Sequence, residues 1–143
     1  MVEVKFLRAH KGAILPEKAT EGSAGFDLFS VESATIMPGE RRLVPTGWCV
    51  ELPLGYEAQI RSRSGLALKY GLVVLNAPGT IDSDYRGEVG VLLVNYSTYP
   101  VDFDVGARIA QMVISPVIEV ELTEVAELDD TDRGDGGFGS TGS

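Results

Sequence analysis

Tyr56-Glu57-Ala58-Gln59-Ile60-Arg61 carries an apolar side chain at every second position and a polar one between. That period of two marks a strand with one face buried and the other wet. Outward from it, short apolar or alternating runs recur at residues 2–7, 25–31, 34–37, 48–52, 72–75, 89–96, 101–105 and 108–122. Pro38-Gly39, Pro53-Leu54-Gly55, Pro78-Gly79 and Pro100 punctuate them. Many short strands between turns, with no strand–helix alternation, predict an all-β antiparallel sandwich, barrel or jelly roll. One short helix is expected at residues 64–70, with Ser64 as its cap, Leu66, Ala67, Leu68 and Lys69 propagating it and Gly71 stopping it.

The 143 residues suit one domain, and 44% hydrophobic with 23% charged residues is a globular composition. Twelve Lys and Arg against 21 Asp and Glu give a formal net charge of −9. An acidic surface repels a nucleic-acid backbone, so no polymeric DNA or RNA partner is expected, whereas a small anion held by a few arginines fits. Cys49 and His10 are the only residues of their kinds, which excludes an intrachain disulfide, a cysteine metal cage and an HExxH zinc site. The apolar runs fall well short of the ~20 residues of a membrane span. Glu3 interrupts an N-terminus without a signal-peptide core, so no membrane partner and a cytoplasmic location are expected.

Composition changes at Ala126. Residues 126–143 hold five acids, Arg133 as the single base, Phe138 as the single aromatic, and glycine at 134, 136, 137, 139 and 142. Such a segment has too little apolar surface to order itself. The expected organisation is therefore a β-barrel domain over residues 1–125 and a mobile glycine-rich arm over 126–143. The arm reads either as a solvated tail or as a lid, with Arg133 supplying charge and Phe138 a stacking face.

Three further segments can carry chemistry. Arg61-Ser62-Arg63-Ser64-Gly65 runs off a strand into the helix, as an anion cradle or as a capped helix with surface arginines. Residues 79–87, Gly-Thr-Ile-Asp-Ser-Asp-Tyr-Arg-Gly, read as a β-hairpin with backbone open to a ligand. In it Asp82 is a candidate general base, or with Asp84 a maker of Asx turns. Arg108 and Gln111 break an apolar run, and Asp27 stands between Phe26 and Leu28.

In this order the segments resemble the five motifs of the trimeric dUTPase family. They are Ala24-Gly25-Phe26-Asp27-Leu28, Arg63-Ser64-Gly65-Leu66-Ala67, the glycine-bracketed run 79–87, Arg108-Ile109-Ala110-Gln111, and the arm from Arg133 to Gly142. Ser62 stands where the family usually has proline, and Ala107 where it usually has aspartate, departures that bear on local rigidity. The resemblance implies a jelly-roll-like distorted β-barrel with one short helix and a flexible C-terminal arm. It also implies Mg²⁺-dependent hydrolysis of dUTP to dUMP and pyrophosphate, which removes dUTP from the nucleotide pool and supplies dUMP for thymidylate synthesis.

By the same resemblance, Asp82 is the base that activates water for attack on the α-phosphorus. Asp27 lies in the outer shell of Mg²⁺ through water. Arg63, Ser64, Gln111 and Arg133 contact the phosphates, and Gly65 also belongs to the substrate-binding set. Asn76, Gly79, Thr80 and Ile81 read uracil, Tyr85 packs under the deoxyribose, Phe138 stacks on the base when the lid closes, and Gly139 and Ser140 are further substrate-binding residues. Family members are homotrimers whose sites each draw on three chains. The competing readings are a dCTP deaminase-like enzyme of the same fold, a non-catalytic nucleotide-binding regulator, and an adhesion module read from Arg133-Gly134-Asp135.

Overall fold

The structure is a computed structural model and describes residues 1–142. Among these residues ten strands and one helix follow in the order β1 (Lys5–Arg8), β2 (Phe26–Phe29), β3 (Ala34–Ile36), β4 (Arg41–Glu51), β5 (Tyr56–Arg61), α1 (Ser64–Tyr70), β6 (Leu72–Val74), β7 (Gly79–Ile81), β8 (Glu88–Asn95), β9 (Val101–Phe103) and β10 (Arg108–Pro116). Every pairing is antiparallel. Two four-stranded sheets, β1-β4-β8-β6 and β2-β10-β5-β7, are accompanied by the pair β3-β9. This is the all-β jelly roll expected from the pattern of short strands.

The period-two reading of β5 holds: Ala58 and Ile60 are buried while Arg61 is exposed. They join Leu28, Ile109, Ala110 and Met112 of their own sheet and Val44, Val50, Leu72, Val89, Val91 and Leu93 of the other in one core. Asn95 is fully buried in that setting. It donates to the carbonyls of Ile36 (2.9 Å) and Tyr99 (2.7 Å) and accepts from the Ser97 backbone (2.8 Å), which offsets its desolvation.

Four features differ from the sequence reading. β4 begins at Arg41 rather than near Trp48, and its ladder with β8 shifts register between Pro45 and Cys49. A bulge absorbs the proline that lacks an N–H and hides the strand from periodicity. Residues 79–87 form no hairpin, because β7 pairs with β5 and β8 with β4 and β6, so the segment crosses from one sheet to the other. Ser64 is already helical. Arg63 occupies the cap position in extended conformation, and no side chain caps the helix, although Gly71 ends it with φ 62° as expected. The last strand stops at Pro116, and residues 117–122 run on exposed. Val117 N–H to the Gly55 carbonyl (2.8 Å) is the last hydrogen bond from this end to the barrel among the described residues.

Candidate functional site

β2 and β10 pair so that Asp27 lies opposite Gln111, and β5 on the far side of β10 places Arg61 in the same row. The chain then turns at Ser62 into α1, which brings Arg63, Ser64 and Gly65 over the end of β2. The result is a polar cavity of about 290 Å³ lined by Ser23, Gly25, Asp27, Arg63, Ser64, Gly65 and Gln111 with two alanines. Four of the expected substrate contacts and the expected metal-shell carboxylate therefore meet.

The cavity is organised around Asp27, which is only 9% exposed. A carboxylate so far from water costs stability unless it is paired. Arg63 Nε lies 3.3 Å from one oxygen and Arg108 Nε 3.3 Å from the other. Arg63 also donates through Nη1 to the Arg108 carbonyl (3.4 Å). Arg108 is tied again, through Nη2 to Glu17 (3.3 Å), so its charge is matched within the protein. Gln111 donates Nε2–H to the Ser62 carbonyl (3.0 Å). Gly25 leaves room for it, since a Cβ there would fall 2.4 Å from Gln111 Oε1 and displace the amide from this position. One arginine, Arg63, beside a hydroxyl and an amide and held by a buried acid, forms a pocket suited to oxyanions, while Arg108 braces that acid from outside the lining.

Asp82 belongs elsewhere. It lines a separate cavity of about 410 Å³ with Tyr56, Glu57, Ser83, Val117 and Glu119. The row of Asp27 and the row just past Ile81 are four residues apart along the ladder, and β10 and β5 lie between β2 and β7. At ~3.3 Å per residue and ~4.8 Å per strand, the two carboxylates are roughly 20 Å apart. The turn after Asp82 is well knit. Tyr85 N–H donates to the Asp82 carbonyl (3.1 Å), Arg86 Nη1 to the Ser83 and Tyr85 carbonyls (2.7 and 3.1 Å), and the Tyr85 hydroxyl to the Glu88 carbonyl (2.9 Å). Gly87 makes room for the tyrosine, as a Cβ would come 2.4 Å from its hydroxyl. Asn76 is exposed, with its amide folded close to Gly79. Thr80 is exposed, while Gly79 and Ile81 are buried in β7.

The arm stays apart from both regions. Arg133 Nε donates to the Gly136 carbonyl (2.8 Å), and further turns join Gly137 with Ser140 and Gly139 with Gly142. Arg133, Phe138, Gly139 and Ser140 are exposed, and Phe138 has φ 52°. Ser143, the last residue of the expected arm, lies outside the described residues.

Two participants escape sequence reading. Glu17 forms an isolated bridge to Asp27, accepting its N–H through the backbone carbonyl (2.8 Å) while its side chain binds Arg108. No local pattern announces that role. Ser62 stands out in sequence only as a departure from a motif, yet its hydroxyl accepts the Val74 N–H (2.9 Å).

No three His, Cys, Asp or Glu side chains gather into a metal cage among the described residues. Asp27 is the carboxylate within the oxyanion cavity, and each of its oxygens retains a lone pair beyond its arginine. It can accept a hydrogen bond from metal-bound water. The donor set thus fits a Mg²⁺ that arrives on a phosphate and keeps most of its waters.

Comparison with known proteins bears on this geometry directly. The family model described as dUTPase matches residues 11–142. The chain is 54% identical over 141 residues to the deoxyuridine 5'-triphosphate nucleotidohydrolase of Nautilia profundicola, covering 99% of each. It is 59% identical over 140 residues to that of a Hydrogenobaculum species, covering 97% of this chain and 96% of the relative. Among solved structures, the dUTPase of Staphylococcus bacteriophage 80alpha with dUpNHpp superposes with a TM-score of 0.85 at 30% identity over 99% of both chains. A mutant dUTPase from phage phi11 of S. aureus, described as coordinating a structural Mg(II) ion, has a TM-score of 0.82 at 26% identity, covering 90% of this chain and 99% of that one. The match runs through the Asp27 cavity, the Asp82 turn and the arm alike, and on that span this chain belongs to the dUTPase family.

Proposed function

We propose that this protein hydrolyses dUTP to dUMP and pyrophosphate at a site assembled from the Asp27 cavity, the Asp82 turn and the arm. The observation that carries the reading is the cavity itself. An almost buried carboxylate holds Arg63 beside Ser64, Gly65 and Gln111 in a chain of net charge −9. The Arg63 guanidinium, the Ser64 hydroxyl and the Gln111 amide are placed where a polyphosphate needs donors, and the cradle exists before substrate arrives.

In this reading Arg63, Ser64, Gly65 and Gln111 hold the phosphates, and Arg133 adds charge when the arm closes. Asp27 would hold a substrate-bound Mg²⁺ through its water, and the ion would supply charge neutralisation on the phosphates. Asp82 accepts the proton of the water that attacks the α-phosphorus. Asn76 and the backbone of Gly79, Thr80 and Ile81 contact uracil. Tyr85 packs against the sugar, where a 2′-hydroxyl would collide, and Phe138 stacks on the base.

Asp27 and Asp82 are too far apart to share one substrate within a chain, which supports a homotrimer whose sites take the cavity from one copy, the Asp82 turn from a second and the arm from a third. Ile118, Val120 and Leu122 form an exposed apolar row after β10. Val4, Phe6, Phe26, Met112 and Ile114 line an apolar groove of about 350 Å³ on the barrel. Both surfaces fit burial against further copies. The deciding measurement is pyrophosphate release from dUTP with Mg²⁺, alongside ammonia release from dCTP and the molar mass in solution. Ammonia without pyrophosphate overturns the hydrolase reading, and an active monomer overturns the shared site.

A further inference from the structure

Ser62 lies between β5 and α1, half-buried and outside the lining of the oxyanion cavity. Its two oxygens connect different parts of the fold. The hydroxyl accepts the N–H of Val74 (2.9 Å), a residue 4% exposed at the end of β6. The carbonyl accepts Nε2–H of Gln111 (3.0 Å). A primary amide has two N–H donors at one end and an acceptor at the other. With one donor given to Ser62, Gln111 keeps its second N–H for a ligand and turns Oε1 toward Gly25, where the missing Cβ leaves space. A flipped amide would set oxygen against oxygen at Ser62. The place of the Ser62 carbonyl therefore decides which end of Gln111 faces an anion, and the next residue is Arg63.

We infer that the Ser62 hydroxyl is a positioning group: it anchors to β6 the peptide that orients Gln111 and leads into Arg63. The inference rests on the reading of the cavity as a phosphate site. Its effect should fall first on the phosphate half, because among the described residues Ser62 shares no hydrogen bond with Asn76 or Tyr85.

The test uses the full chain and two partial ligands, inorganic pyrophosphate with Mg²⁺ and deoxyuridine, as competitors of dUTP turnover. Ser62→Ala should weaken pyrophosphate roughly 3–10-fold, the worth of one hydrogen bond, and leave deoxyuridine within about two-fold. Ser62→Thr keeps the hydroxyl and should restore pyrophosphate binding. Unchanged pyrophosphate binding in Ser62→Ala, equal weakening of both ligands, or failure of Ser62→Thr to rescue would each overturn the role. NMR of the ligand-free protein separates this from the reading it rests on. Ser62→Ala should shift the Gln111 side-chain amide pair and speed exchange of the Val74 N–H, and unmoved signals overturn the positioning. Moved signals in a protein whose wild type ignores pyrophosphate would instead overturn the phosphate site.

Discussion

Around Asp27, a carboxylate 9% exposed binds two arginines at 3.3 Å each, and a neighbouring glutamine is fixed by a backbone carbonyl. Asp82, roughly 20 Å away by strand count, is exposed, faces Glu57 and Glu119 across its cavity and has no ion-pair partner among the described residues. The cavity is finished by folding. The Asp82 turn is tied by hydrogen bonds to its backbone carbonyls but leaves its carboxylate bare, which suits the proposed role of receiving water and a substrate. The desolvation cost of the first region is met within the chain, so on the proposed reading its residues serve binding and stability together. The exposed Asp82 carboxylate of the second can be changed with the fold left intact.

The sharpest break of this comparison is Asp82→Asn. The amide keeps the size but cannot take a proton, so kcat should fall at least ~10²-fold. Thermal stability should stay within the small range of exposed substitutions, about 0.5 kcal/mol. Steady-state kinetics beside a melting curve reads both. Near-normal turnover would pass the role to another carboxylate, with Asp84 next to be tried.

Next in size is truncation after Asp132. No hydrogen bond joins the arm to the barrel beyond Val117 among the described residues, so the melting temperature should hold. Turnover should fall roughly ten-fold or more, because on the proposed reading closure positions the phosphates and excludes water, and base–aromatic stacking at Phe138 is worth about 1–3 kcal/mol. Protease cleavage at Arg133, with and without a non-hydrolysable dUTP analogue, reports closure. Equal cleavage together with full activity of the truncated protein would leave the arm as a solvated tail.

Asp27→Asn attacks the other region and should behave differently. Losing the charge opposite Arg63 and Arg108 leaves two guanidiniums poorly matched, although both keep partial access to water. Stability should drop by roughly 1–2 kcal/mol, and KM for dUTP should rise several-fold with a smaller change in kcat. A variant with normal stability and normal KM would show that the cavity does not depend on its acid.

What sequence could and could not show follows the same division. β5, the helix stop at Gly71 and the motif residues were legible because period, turn chemistry and short spacing are local. The start of β4 was not, since Pro45 and the bulge beside it break the alternation that marks a strand. Residues 79–87 read as a hairpin because glycines bracket them, yet their flanking strands pair with β5 and β4, partners remote in the chain. Glu17 and the Ser62 hydroxyl act through Arg108 and Val74, 91 and 12 residues away. Only the folded ladder brings such residues together.

The smallest effect expected lies beside the Asp82 turn. Glu51 at the end of β4 pairs with Lys5 (3.1 Å) and more loosely with Arg86 of the turn (3.7 Å). The hydrogen bond and charge of Lys5, then the charge of Arg86, hold the Glu51 carboxyl below its ordinary 4.5, and Glu51 holds Lys5 above its ordinary 10.5. A depressed acid contributes stability that is present above its ordinary value and is lost as pH falls through the folded one. A raised base contributes stability present below its ordinary value and lost as pH rises through the folded one. The pair should therefore contribute a level increment from about pH 5 to 10, shrinking on both sides. All three side chains are solvated, so the increment should be slight and should fade in molar salt. Glu51→Gln should melt marginally below wild type at pH 7, converge with it in acid, and hydrolyse dUTP at an unchanged rate, because hydrogen bonds from Tyr85 and Arg86 to carbonyls within the turn and at Glu88 hold it without Glu51. A clear loss of turnover in that variant would mean that the Asp82 turn depends on its surface charges, and its contrast with the Asp27 cavity would narrow.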